Sequence, residues 1–259
     1  MFDQGTGRPV VVIPGIQGRW EWMRPALEAL ARHYRTISYS LCGDIGSGAR
    51  IDPALGFDSF LRQLDAVLDQ KAIDRTVLCG VSYGGVIAVR YAARRPDRVS
   101  ALILASAPGP HWKPNARQAK YAERPWMSLP AFCVSAFDRL GAELRSALPD
   151  WRPRASFTSR YLASALLAPM MPHLVSHRLK LQAELELARD CASVRAPTLV
   201  VTGEAHLDKV VPVESTREYV SLIPGAQYEM MDGTGHLGTL TQPERFVRIA
   251  SSFIDASNS

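Results

Sequence analysis

The hexapeptide Gly-Val-Ser-Tyr-Gly-Gly at residues 80–85 constrains the fold of this 259-residue chain more than any other feature. A short apolar and β-branched run before it, residues 75–79, predicts a buried strand, and the run at residues 86–95 predicts a helix. Ser82 therefore lies on a sharp strand-to-helix turn, where only very small residues two positions either side can clear the crossing chain. The glycines at those two positions meet that requirement. The turn lifts the serine hydroxyl clear of the sheet, at the positive end of a helix dipole.

Two further strands lead into polar residues downstream. The strand predicted over residues 197–203 is followed by Asp208, and a strand beginning at Tyr228 runs into a glycine loop that ends in His236. A serine hydroxyl is a weak nucleophile at neutral pH and needs a base to take its proton. Ser82, Asp208 and His236 supply a hydroxyl, a carboxylate and an imidazole, each just past a strand.

Taken in this order, the three segments resemble the α/β-hydrolase superfamily. The resemblance covers nearly the whole chain and rests on the serine turn, on the Gly-Glu and Asp-Lys-Val-Val-Pro motifs within residues 203–212, and on Gly-Thr-Gly-His-Leu-Gly at residues 233–238. It implies that Ser82 is the nucleophile and His236 the general base and acid. It also implies that Asp208 holds the imidazole tautomer and stabilises the imidazolium.

The acid position has one alternative. In most relatives the acid comes about three residues after the glycine that ends the strand. Asp208 follows Gly203 by five residues, which implies a two-residue insertion ahead of it. Glu204 is the substitute acid.

The resemblance also places an oxyanion hole. Its donors would be the backbone N–H groups of Ile16 and Tyr83. Relatives usually end the first buried strand with His-Gly, whereas this chain has Pro14-Gly15. Backbone donors do not depend directly on the missing histidine, and Pro14 can stiffen the turn instead.

Strands alternate with helical stretches on both sides of a central segment, which predicts a mostly parallel, doubly wound sheet of the α/β class. Residues 111–192 break the rhythm: they are helix-prone, interrupted by prolines and rich in large apolar side chains. We therefore expect a core in two parts, residues 1–110 and 193–259, with residues 111–192 inserted as a helical lid. Because nine residues precede Val10, we expect the sheet to lack one or two N-terminal edge strands.

By the resemblance, the lid covers the site and its apolar lining selects the substrate. Most of its large apolar side chains are nevertheless expected to pack the lid on the core, and a few to face the pocket. Examples of these side chains are Trp126, Met127, Phe132, Trp151 and Phe157.

Composition narrows the choice of partners. The net charge is +5, but the basic residues are mostly arginines scattered among acids, so nucleic-acid binding is not expected. No apolar run approaches the ~20 residues that span a membrane. The N-terminus lacks the basic and apolar regions of a signal peptide, so a cytoplasmic location is expected. The oligomeric state is left open.

Neither a metal nor a cofactor is expected. His173 and His177 sit four residues apart, but no third ligand accompanies them. The four cysteines show no metal or disulfide spacing and are expected to be reduced, buried thiols. They are Cys42, Cys79, Cys133 and Cys191.

The leading hypothesis is a serine hydrolase that forms an acyl-enzyme on a small to medium ester, thioester or lactone with an apolar acyl part. A variant of this chemistry cleaves a carbon–carbon bond in a dioxo acid, and Arg19, Arg154 or Arg160 would recognise the carboxylate. An acyltransferase differs only in the acceptor that reaches the acyl-enzyme. The contrasting class is a non-enzymatic ligand-binding protein or receptor on the same scaffold.

Overall fold

The sheet has a parallel body and one antiparallel edge strand. The computed structural model describes residues 1–257, except for the side chains at positions 117, 129–134 and 136–138. Within that range the strands are β1 Phe2–Gln4, β2 Pro9–Ile13, β3 Arg35–Ser38, β4 Thr76–Val81, β5 Val99–Ala105, β6 Thr198–Thr202 and β7 Gln227–Met230. Their spatial order is β1-β3-β2-β4-β5-β6-β7, and only β1 with β3 is antiparallel. The expected mostly parallel sheet is confirmed, and its short N-terminal edge is β1.

Helices connect the successive parallel strands and cover both faces of the sheet. Those around the sheet are α1 Arg24–Leu30, α2 Asp58–Gln70, α3 Tyr83–Arg94, α9 Val213–Leu222, α10 Gly238–Thr241 and α11 Pro243–Ala256. Between β5 and β6 lie α4 Ala116–Glu123, α5 Pro125–Ala147, α6 Trp151–Leu167, α7 Pro172–Ala183 and α8 Leu187–Ser193. We call residues 111–192 the helical segment.

Two apolar layers hold the sheet between the helices. Successive side chains of a strand point to opposite faces, so β2 contributes to both layers. Val11 and Ile13 pack in the layer with α2 and α3, and Val10 and Val12 pack in the layer with α1 and α11. This double burial explains the uninterrupted apolar run of β2.

The helical segment is less deeply packed than the sheet. Trp126, Met127 and Trp151 are exposed and do not pack on the core. Phe157 does pack against a core layer, and the side chain of Phe132 lies outside the described residues. Trp22 ties the segment to the core by donating from Nε1 to the carbonyl of Ala168 at 2.8 Å.

Three of the cysteines are free and buried, as the sequence predicts: Cys42, Cys79 and Cys191. Burial raises the pKa of the Cys42 thiol to about 11, which keeps it protonated at neutral pH. The side chain of Cys133 lies outside the described residues. Among the helices described, none is both long and apolar enough to cross a membrane.

Candidate active site

Ser82 occupies the sharp turn between β4 and α3. Its φ of 52° lies in the left-handed region that residues other than glycine rarely adopt. A Cβ at Gly80 would lie 2.5 Å from the carbonyl oxygen of Gly84, and one at Gly84 would collide with the carbonyl of Ile13. The two glycines therefore let the chains cross, as the sequence predicts, and leave the serine half-buried beside the turn.

The structure brings Ser82, His236 and Asp208 together. Ser82 Oγ lies 3.1 Å from His236 Nε2, and His236 Nδ1 lies 3.1 Å from Asp208 Oδ2. The three residues follow β4, β7 and β6, whose carboxyl ends meet at one edge of the parallel sheet. The Asp208 side chain is 1% exposed and that of His236 is 11% exposed, so their hydrogen bond is shielded from water.

The loop before Asp208 forms a turn. The backbone N–H groups of Leu207 and Asp208 both donate to the carbonyl of Glu204 at 3.0 Å. Oδ1 of Asp208 accepts the N–H groups of Val210 and Val211, each at 2.9 Å, which leaves Oδ2 for His236.

Glu204, the alternative acid, is engaged elsewhere. Its Oε1 accepts the N–H of Gly233 at 2.5 Å, and its Oε2 lies 3.2 Å from His206 Nδ1. Of the two candidate carboxylates, the structure places Asp208 against His236.

The environment of His236 favours its protonated form. Burial lowers the pKa of the imidazole, but the charge and hydrogen bond of Asp208 and the charge of Glu143 outweigh it and hold the pKa above its ordinary value. Glu143 belongs to α5 and was not a candidate from the sequence.

The two predicted oxyanion donors lie on segments that flank Ser82. A Cβ at Gly15 would lie 3.4 Å from Ser82 Cβ, so the loop that carries Ile16 runs against the serine. Tyr83 is the first residue of α3, and its N–H therefore has no acceptor within its own helix. The N–H of Gly18 closes the loop by donating to the carbonyl of Gly15 at 2.9 Å.

Arg178 on α7 joins both of these segments, and it too was not a candidate from the sequence. It donates from Nη1 to the carbonyl of Ile16 at 2.9 Å, and its own carbonyl accepts the Tyr83 hydroxyl at 3.2 Å. Its guanidinium pairs with Asp44, and both side chains are 0% exposed. Nothing local marks Arg178, because an arginine beside His177 and Lys180 is typical of a solvated helix face.

Of the arginines proposed for carboxylate recognition, two are hydrogen-bonded to other groups and one is exposed. Arg19 pairs with Glu21 and donates to the carbonyl of Ile45. Arg154 donates to the carbonyls of Leu148 and Pro149. Arg160 is exposed. Among the residues described, no group of three or more His, Cys, Asp or Glu side chains could hold a metal ion.

Residues 8–243 match the family model of the alpha/beta hydrolase fold. The chain is 27% identical to a 2-hydroxy-6-oxo-2,4-heptadienoate hydrolase of Pseudomonas putida, across 100% of this chain and 93% of that protein. An esterase structure from Thermogutta terrifontis superimposes with a TM-score of 0.80 at 24% identity, covering 100% of this chain and 93% of that one. The enol-lactonase of Burkholderia xenovorans LB400 gives a TM-score of 0.76 at 20% identity, covering 98% of this chain and 95% of that one.

Proposed function

Since this chain belongs to the α/β-hydrolase family, we propose that it is a serine hydrolase acting on a small to medium ester, thioester or lactone with an apolar acyl part. The family, with curated relatives named as hydrolases, makes the chain an enzyme of this fold rather than a non-enzymatic binding protein. The observation that carries the proposal is the pair of 3.1 Å contacts that joins Ser82 to His236 and His236 to Asp208.

The proposed reaction has two halves. In the first, His236 Nε2 takes the hydroxyl proton of Ser82 as Oγ bonds to the substrate carbonyl carbon, and the carbonyl oxygen becomes an oxyanion. When the intermediate collapses, the bond to the leaving group breaks and His236 gives that group the proton. In the second half, His236 takes a proton from water as the water oxygen bonds to the acyl carbon. The bond from that carbon to Ser82 Oγ then breaks, and His236 returns the proton to Ser82. Asp208 holds the imidazole with Nδ1 protonated throughout.

The N–H groups of Ile16 and Tyr83 would receive the oxyanion. Each well-placed donor contributes roughly 3 kcal/mol at the transition state. Arg178 supports this assignment, because it is hydrogen-bonded both to the carbonyl of Ile16 and to the hydroxyl of Tyr83.

We assign residues 111–192 as a lid over a core formed by residues 1–110 and 193–259.

An uncharged acyl part fits this site best, because the Arg178 guanidinium is already paired with Asp44. Arg19 and Arg154 likewise donate hydrogen bonds to backbone carbonyls of the protein. This arrangement favours neutral esters and lactones over substrates with a carboxylate.

Cleavage of a carbon–carbon bond in a dioxo acid is the second candidate. It is supported by the similarity along the whole chain to a hydrolase named for 2-hydroxy-6-oxo-2,4-heptadienoate, the enol form of a 2,6-dioxo acid. Ser82, His236 and Asp208 would serve this reaction as well, so the two candidates differ in substrate rather than in site. Comparing kcat/KM for neutral esters and for a 2,6-dioxo acid decides between them.

The test is a burst assay with p-nitrophenyl esters of increasing acyl length, together with labelling by a fluorophosphonate probe. Ser82→Ala should lower kcat by about 10⁴-fold or more and abolish labelling, because the residual rate comes only from binding and the oxyanion hole. Ser106→Ala is the matched control, since Ser106 also has a positive φ, of 47°, just past the neighbouring strand. Turnover or labelling that survives Ser82→Ala would contradict the proposal, as would a parent protein that neither turns over nor reacts with the probe.

A further inference from the structure

Glu143 is a buried carboxyl group at the back of the candidate site. It lies on α5 between Leu140 and Leu144, which pack against the core layer that includes Leu237. Its side chain is 0% exposed. Oε1 accepts the backbone N–H of Leu237, the residue after His236, at 2.7 Å. Oε2 is also buried and accepts no hydrogen bond of normal geometry within the described part of the chain, although the N–H of Gly235 lies close enough to the carboxyl to affect its pKa.

Packing alone does not explain a carboxyl group in this position. A buried carboxyl with one unpartnered oxygen destabilises a fold, and an apolar side chain would fill the same space without that cost. Burial raises the pKa of Glu143 to about 7, even though the N–H of Gly235, the charge of His236 and the N–H of Leu237 all lower it. Buried groups that keep a perturbed pKa beside other titratable residues are concentrated at functional sites.

We propose that Glu143 is a positioning residue for His236, one that holds the imidazole loop through the N–H of Leu237 and sets a second carboxylate beside the ring. The proposal rests on the proposed function, because His236 needs a defined position and basicity only if it transfers protons. It also gives the helical segment a part in the reaction, since α5 delivers Glu143 to a loop that follows β7.

The groups around Glu143 determine whether its charge raises or lowers the pKa of His236. His236 and Asp208 face it from the loops after β7 and β6. Tyr161 faces it from α6, where burial and the Glu143 charge raise the pKa of the phenol and Arg139, on α5 itself, lowers it. Since the Glu143 charge also raises the pKa of His236, it favours the imidazolium that forms when Ser82 attacks. Removing that charge should weaken His236 as a base.

The charge of Glu143 favours the basicity of His236, but it lowers the stability of the fold. A carboxyl whose folded-state pKa lies above its ordinary value of 4.5 destabilises the fold as pH rises from about that value through about 7. Above pH 7 the charged form is present at its full cost. A neutral side chain of the same shape should therefore raise stability at pH 8 while lowering activity.

Glu143→Gln is the decisive variant, because glutamine keeps the size and an acceptor for the N–H of Leu237 but removes the charge. We expect kcat to fall about tenfold with KM within about twofold of the parent, as for an interaction made mainly in the transition state. The acid limb of the kcat/KM profile should move to lower pH by about half a unit or more. The thermal midpoint at pH 8 should rise. Glu123→Gln, an exposed carboxylate on α4, is the control and should change none of these.

An NMR titration of the His236 ring separates this proposal from the hydrolase proposal, because it needs no substrate. The pKa of His236 should be lower in Glu143→Gln and unchanged in Glu123→Gln. An unchanged His236 pKa, or a variant that loses stability and keeps its kcat, would overturn the role of Glu143. A lowered His236 pKa in a protein without turnover would support the coupling of the two residues and overturn the hydrolase proposal.

Discussion

The sheet and the helical segment contribute to the site in different ways. Every residue of β4, the strand that leads to Ser82, is buried, whereas α6 in the helical segment has no buried residue. The sheet places the proposed reacting groups through backbone geometry, at the ends of strands fixed on both faces. The helical segment adds single buried charges, Arg178 and Glu143, each hydrogen-bonded to the backbone of a loop that carries a proposed site residue.

This difference follows from how each region is covered. A parallel strand between two helical layers has no solvent-facing side and must be apolar throughout. The helices of the segment keep many exposed residues, and α6 has no buried residue at all, so most of their positions are free to be polar and a few side chains reach inward. The core therefore resists almost any change near Ser82, whereas the segment should tolerate most changes except at those inward-reaching residues.

The largest effect expected from this comparison is that of Gly84→Ala in the core. The added Cβ would collide with the carbonyl of Ile13 and lie 2.7 Å from that of Pro14, both of them backbone atoms that cannot rotate away. We expect the free energy of unfolding to fall by about 4 kcal/mol or more, at the extreme of single substitutions. Urea denaturation measures it.

Gly141→Ala on α5 is the matched change in the helical segment. Its Cβ would meet only the flexible end of Arg145 at 3.4 Å, so the variant should be neutral or more stable by up to about 1 kcal/mol. Equal losses in the two variants would abolish the distinction between the regions.

The difference in burial between the sheet and the helical segment explains which elements could be predicted from sequence alone. The strand predicted over residues 197–203 follows from an apolar run and is found as β6, Thr198–Thr202, within one residue at each end. Helix α3 begins at Tyr83, three residues before the predicted start at Val86, because burial against β2 and β5 overrides the poor helix propensity of Gly84 and Gly85. Local pattern was sufficient wherever a continuous buried face determines the element.

Within the site, the residues found from sequence are those that end strands. Ser82, His236 and Asp208 each follow a strand at the same edge of the sheet, so topology brings them together. Arg178 gave no such signal, since its partner Asp44 lies 134 residues away in sequence. The sequence around Glu143 does not distinguish it from an exposed glutamate on a helix, because its burial depends on its contacts with the core. Contacts of this kind come from tertiary packing, which a single sequence does not encode locally.

The next largest effect is expected for Arg178→Met in the helical segment. The change leaves Asp44 buried without its partner, which should lower the free energy of unfolding by about 3 kcal/mol. Loss of the hydrogen bond to Ile16 should also lower kcat more than it raises KM. Adding Asp44→Leu removes the unpaired charge and should recover part of the stability but not of kcat. Arg160→Met, at an exposed position on α6, is the control; a similar loss there would show that the effect is general to the segment.

The smallest effect is expected on the outer face of the segment. Leu166 on α6 is 82% exposed, so truncation to alanine returns little apolar area to water and should change the free energy of unfolding by less than about 0.5 kcal/mol. Leu104→Ala in β5, where the side chain is 0% exposed, is the matched core change and should cost about 2–5 kcal/mol.

Measuring the stability of both variants at two protein concentrations tests whether α6 is covered by association. A loss for Leu166→Ala that approaches the core value and grows with concentration would mean that another copy of the chain covers α6, because only association makes stability depend on concentration. The segment would then be buried on both sides, as the sheet is.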